Sequence, residues 1–170
     1  MKKWIVLMAF ILVILAGCSQ QKDRPNADVE DYAQEYPVSA YGTEENLNTL
    51  TDVKLAADRK GYPSSDLGRI TLIMENYSQK EYRYAEYFEL EVEEDGIWYQ
   101  LTQLADTPEP SKDLYLAPGQ EKRLEQDISA YYGNDLPPGR YRLIKSFYWF
   151  VHERDWDYKQ YNLSCEFELQ

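Results

Sequence analysis

The chain has 170 residues, 30 of them acidic against 18 Lys and Arg, for a formal net charge of -12. Such a balance lacks the basic footprint that a nucleic-acid surface needs. With 2 Cys and 1 His, it also leaves no room for a zinc site of the usual Cys and His ligands.

The chain opens on Met1-Lys2-Lys3-Trp4 and continues into the apolar run from Ile5 to Leu15. A basic start, a short apolar core and small residues after it form a secretory leader. The run is shorter than the roughly 20 residues of a membrane-spanning helix, and polar residues resume at Ser19. Leu15-Ala16-Gly17-Cys18 resembles the lipobox of bacterial lipoproteins. That resemblance implies cleavage before Cys18, a diacylglyceryl lipid on its sulfur and palmitate-type acylation. Two or more acyl chains attach a protein lastingly, whereas one is marginal. The expected location is therefore the cell membrane, lipid-anchored on its extracellular face, with residues 1–17 as the leader. A lipidated Cys18 leaves Cys165 without an intramolecular partner, which excludes a disulfide framework.

Residues 18–35 are polar and charged, contain Pro25 and show no apolar periodicity, the composition of a flexible tether. Residues 36–170 have the length of one domain.

From there on, short segments alternate between apolar and polar residues and are separated by Gly, Pro, Asn and Asp, the pattern of an all-β sandwich or barrel. Val53 to Ala57 is the first strand, closed by Gly61-Tyr62-Pro63. Ile70, Leu72 and Met74 share one face of the next, which ends at Asn76-Tyr77-Ser78. Phe88, Leu90 and Val92 alternate with Glu89, Glu91 and Glu93, so one face reads as core and the other as solvated carboxylate. Asp95-Gly96 is a hairpin signal, and Ile97 to Leu101 returns. Leu114 to Leu116 leads into the turn Ala117-Pro118-Gly119, and Leu124 and Ile128 belong to the following strand. Leu136-Pro137-Pro138-Gly139 turns into Arg140 to Phe150, where Lys145 interrupts the apolar face begun by Tyr141 and Leu143. Either a bulge near Ile144 restores Phe147 or Tyr148 to the interior, or the far end is apolar on both faces. The last strand alternates Tyr161, Leu163, Cys165, Phe167 and Leu169 with polar residues. Short helical turns fit only Thr43 to Leu50 and Ser129 to Tyr132.

Taken in order, Ile70 to Ser78, Phe88 to Glu91 with Gly96 to Tyr99, Leu116 to Gln120, Leu136 to Leu143 and Cys165 to Leu169 resemble the bacterial immunoglobulin-like domains of lipoproteins of low-GC Gram-positive bacteria. The resemblance implies an immunoglobulin-like antiparallel β-sandwich of about seven to eight strands at the cell surface, with no general enzymatic activity. It also places Tyr141 where sandwich domains carry a structural tyrosine corner, a hydroxyl bonded back to the preceding connection.

Catalysis has little to build on. His152, beside Glu153, Arg154 and Asp155, is the sole imidazole, and neither a phosphate loop nor a His-Glu-x-x-His motif is present. No cofactor is expected. Glu93-Glu94-Asp95, or Asp155 with Asp157, could offer oxygen ligands to calcium, but no Asp-x-Asp-x-Asp-Gly loop accompanies them, and solvated charge is the plainer reading. The concentration of rings from Phe147 to Phe150 through Trp156, Tyr158 and Tyr161 joins the last two strands, the F-G region that makes a recognition loop in antibody domains. Trp149, Asp155, Trp156, Asp157 and Tyr158 are the candidate ligand-binding residues, for a protein, a peptide or a cell-wall glycan. A long hairpin packing these rings on its own sheet is the competing account of them. The expected function is a membrane-anchored, monomeric binding module; the alternative is an accessory lipoprotein with no ligand of its own, and an enzyme ranks third.

Overall fold

The computed structural model describes residues 36–42, 46–104, 113–150 and 159–170, all within one compact unit, Asp31–Gln170. The strands are β1 (Val53–Ala57), β2 (Gly61–Tyr62), β3 (Arg69–Asn76), β4 (Glu81–Ala85), β5 (Glu89–Glu94), β6 (Ile97–Gln100), β7 (Asp113–Leu116), β8 (Glu121–Asp127), β9 (Gly139–Phe150) and β10 (Gln160–Leu169). Helix α1 is the single turn Ile128–Tyr132. β1, β3 and β8 form one sheet; β2, β10, β9, β4 and β7 form the other, with the β5–β6 hairpin also laid on β9. Every pairing is antiparallel except β2 with β10.

The immunoglobulin-like all-β sandwich is therefore the architecture. The described strands number ten, because the segment Gly61-Tyr62, read from the sequence as a turn, runs as a two-residue strand beside Glu168 and Leu169, and because β4 forms where no strand was expected. Of the helical turn expected over Thr43 to Leu50, residues 46–50 form a turn and bends rather than a helix, and residues 43–45 lie outside the described residues. Ile128, assigned to a strand on its spacing from Leu124, instead begins α1. There the Asp127 carboxylate accepts the Ala130 N–H at 3.0 Å, capping the turn, and Gly133 ends it at a positive φ of 86°.

Period-two patterning places the core. Ile70, Leu72 and Met74 point from β3 into the interior and are at most 1% exposed, opposite Tyr141, Leu143 and Phe147 of β9, all fully buried. Burying each such side chain is worth about 1.5–3 kcal/mol. Rings fill one end: Phe88 packs on Tyr131 and Tyr132 of α1 at 5.1 and 5.6 Å between centroids. At the β5–β6 turn, Asp95 (φ 52°) and Gly96 (φ 81°) take the paired positive dihedrals of a type I′ hairpin.

β9 contains no bulge. Its register with β10 is unbroken from Gly139↔Leu169 to Tyr148↔Gln160, and Tyr141, Leu143, Lys145 and Phe147 are all buried on one face. The irregularity lies on the strand opposite. Tyr84 faces Phe147 and Glu89 faces Ile144, so the four residues 85–88 stand against only Ser146 and Lys145. Lys145 fills that break: its ammonium donates to Glu86 O at 3.1 Å, Tyr87 O at 3.0 Å and Gln126 Oε1 at 2.9 Å. A buried amine thus supplies donors where the ladder lapses.

Candidate binding face

The outward positions of the larger sheet fall into two regions. Alternation puts Arg140, Arg142, Ser146, Tyr148 and Phe150 on the outer face of β9, and the register carries their partners with them. Where β5 and β6 lie on β9, the face is charged. Where β4, β7, β9 and β10 run side by side, it is largely uncharged.

In the charged region, Glu91 is not a solvated carboxylate as its alternation suggested. It is fully buried, because residues 36–42 cross this part of the sheet, bonding Ser39 N to Trp98 O at 2.8 Å and Gln100 N to Pro37 O at 2.9 Å. Under that strap, Arg142 Nε donates to Glu91 Oε2 at 2.5 Å and Ser39 Oγ donates to Glu91 Oε1 at 2.6 Å. Arg142 Nη2 donates to Gly42 O at 2.8 Å, and the Trp98 ring lies 4.3 Å from the guanidinium carbon. Next to it the Tyr41 hydroxyl donates to Glu89 Oε1 at 3.1 Å. Burial raises the Glu89 carboxyl above the usual range, with the Glu91 charge adding to it and the Tyr41 bond opposing it.

In the uncharged region, one row crosses four strands: Tyr115, Arg83, Tyr148 and Gln160. Phe150 flanks it on one side, its ring 4.9 Å from that of Tyr115; the Arg83 guanidinium lies 5.4 Å from the centre of the Tyr148 ring. Ser146 and Asn162 flank the other side. The Tyr148 hydroxyl donates to Gln160 Oε1 at 3.2 Å, Gln160 Nε2 donates to Ser146 Oγ at 2.9 Å and to Asn162 Oδ1 at 2.8 Å, and Ser146 Oγ donates to Asn162 Oδ1 at 2.9 Å. Each side chain fixes the direction of the next.

Of the residues singled out in the sequence, Trp149 faces the interior, packed against the buried cluster that includes Met74, Tyr82 and Leu163, with the Lys80 ammonium 4.2 Å from its ring. Its neighbours Tyr148 and Phe150 face outward instead. Counting parity from the buried Tyr141 would have found them. Asp155, Trp156, Asp157, Tyr158 and His152 lie outside the described residues, as does Cys18. Tyr141 is fully buried and donates its hydroxyl to Pro137 O at 2.8 Å. Glu93 accepts from the Gly96 N–H within its own hairpin and lies 3.8 Å from Arg140. Among the described residues, no group of three or more His, Cys, Asp or Glu side chains is arranged to hold a metal, and no helix is long and apolar enough to cross a membrane. The Cys165 thiol is free and buried; burial pushes its pKa up to about 12, which suppresses thiolate chemistry.

A family model described as a bacterial Ig-like domain matches residues 49–168. No curated protein matches the chain.

Proposed function

Because the chain belongs to the bacterial Ig-like domain family, whose members are in general surface or binding modules and typically non-catalytic, we propose that it is a lipid-anchored recognition module of a Gram-positive cell surface. Cys18 carries the diacylglyceryl group, residues 18–35 hold the domain off the bilayer, and ligand is taken at the β9–β10 end of the larger sheet. An acidic body gains nothing from an anionic membrane surface, so the lipid alone does the attaching. The domain acts as a monomer, without cofactor.

One observation carries the recognition part of this reading. Tyr115, Tyr148 and Phe150 share the outer face with the Ser146–Gln160–Asn162 network, at the end where β9 passes into residues 151–158 and their Trp156, Tyr158, Asp155 and Asp157. Rings with wet polar ends give contact area at low entropic cost. The test is cross-linking on intact cells from a photoreactive residue at position 148, run beside the Trp156→Ala, Tyr158→Ala double variant. Adducts that disappear in the double variant, with folding intact, support recognition at this end; a surface that yields no adduct points to an accessory lipoprotein instead.

A further inference from the structure

The division of the outer face by chemistry limits what can bind there. Glu89, Glu91, Glu93, Arg140, Arg142 and Glu166 occupy one half. Among the described side chains, the other half holds one cation, Arg83, and one carboxylate, Glu81, which stands at the rim in β4. The other described side chains on it are aromatic rings, amides, hydroxyls and Ala85. In a chain with 30 acidic residues, the row Tyr115, Arg83, Tyr148 and Gln160 and its flanks Phe150, Ser146 and Asn162 carry no carboxylate.

Resting on the recognition reading above, we infer that this half is a binding site for an uncharged, hydroxyl-rich glycan. A sugar ring offers flat C–H faces and a rim of hydroxyls that both donate and accept. The Tyr148, Phe150 and Tyr115 rings suit the first. The carboxamides of Gln160 and Asn162 suit the second, since each places a donor beside an acceptor. Asn162 Oδ1 already accepts from Ser146 and Gln160, while Asn162 Nδ2 has no hydrogen-bond partner among the described residues and is left to donate outward. Because the Tyr148–Gln160–Ser146–Asn162 bonds hold these groups in place before any ligand arrives, binding loses less side-chain entropy.

The shape agrees with the chemistry. The row from Tyr115 to Gln160 spans three inter-strand steps of about 4.8 Å, or roughly 14 Å, a flat track for a short stretch of polysaccharide. A protein partner would use the same rings as anchors; the bonded row of Gln160, Ser146 and Asn162 is what matches a glycan's hydroxyls instead. An anionic polymer would need more than Arg83.

The experiment uses the detergent-solubilised full chain, sedimented with peptide-free, uncharged cell-wall polysaccharide and titrated with soluble neutral oligosaccharides prepared from it. Wild type is expected to bind, with Tyr148→Ala and Asn162→Ala each weakening binding at least tenfold. Tyr148→Phe, which keeps the ring and loses the bond to Gln160, should weaken it less. Tyr77→Ala, at a ring 58% exposed beside Lys54 on the smaller sheet, should bind as wild type does. Thermal unfolding of each variant checks the fold. Binding unchanged in both Tyr148→Ala and Asn162→Ala overturns the assignment, as does a wild type that binds none of these glycans. In the latter case, a protein adduct from position 148 on intact cells retains the recognition reading and removes only the glycan, whereas no adduct removes both.

Discussion

Arg142 and Glu91 meet across β9 and β5 at 2.5 Å, with side-chain exposures of 1% and 0%. An ion pair withdrawn from water survives only when its remaining lone pairs and protons are also bonded, and here Ser39 Oγ and Gly42 O supply those bonds. Both come from the strap, residues 36–42, which lies outside the stretch matched to the family. Glu91→Ala strands a buried guanidinium and should lower stability by about 3–5 kcal/mol, whereas the paired Glu91→Leu, Arg142→Met replacement should cost far less. Urea denaturation measures both. A loss near the ~1 kcal/mol of an exposed pair would mean that the strap does not close over the site in solution.

Lys145 predicts a pH effect of definite sign. Burial pulls its amine down to about 7, against the opposing charge of Glu86, while in the unfolded chain it titrates near 10.4. Between those values the unfolded state binds a proton that the native state does not, so stability rises with pH, by at most about 1.4 kcal/mol per unit. Below 7 both states bind it and the contribution is flat. Above about 8.5 the unfolded Cys165 ionises while the native thiol, pushed up to about 12, does not, and that effect runs the other way. The clean window is therefore pH 7 to 8.5. There wild type should gain on Lys145→Met in urea titrations; a constant difference would show that Glu86 O, Tyr87 O and Gln126 hold the ammonium throughout.

Two buried tyrosines should respond oppositely to loss of the hydroxyl. Tyr141→Phe removes the bond to Pro137 O and should cost about 0.5–1.5 kcal/mol. Tyr84 is fully buried, and its hydroxyl has no hydrogen-bond partner among the described residues; burial raises its pKa to about 12. Tyr84→Phe discards a desolvated polar group and should be neutral or stabilising. Thermal unfolding of the two variants side by side decides it, and a destabilised Tyr84→Phe would require a buried water at that hydroxyl.

What the sequence reveals and what it hides follow from how local each determinant is. Ile70, Leu72 and Met74, or Leu163 through Leu169, announce half-buried strands because period-two burial is written into adjacent residues. β4 carries the same signal in Tyr82 and Tyr84, alternating with Glu81 and Arg83, but tyrosine tolerates either face, so the alternation alone does not specify a strand. Lys145 looked like a break in the alternation of β9, since its carbonyl partners Glu86 and Tyr87 lie some sixty residues away and no local pattern specifies them. Glu91 does point outward, as alternation required. Only the arrival of Ser39, 52 residues earlier, turns an outward carboxylate into a buried one. The binding face was hidden for a related reason: Tyr148 and Phe150 were legible as aromatic, but their company with Tyr115 and Asn162 depends on strand order.

The anchor itself has a direct test in which membrane recovery alone would mislead. Cys18→Ser removes the acylated sulfur, but it also removes the residue before which the leader would be cut, so the variant can keep its apolar run from Ile5 to Leu15 and stay with the membrane uncleaved. The informative readouts are lipid label and the mature N-terminus. Wild type should incorporate labelled palmitate, begin at residue 18 and resist high-salt washes yet dissolve in detergent, because two acyl chains at about 0.8 kcal/mol per buried methylene hold it without help from charge. Cys18→Ser should carry no label and retain its leader. Label retained in the variant, or wild type stripped from membranes by salt, would remove the lipid anchor from the function.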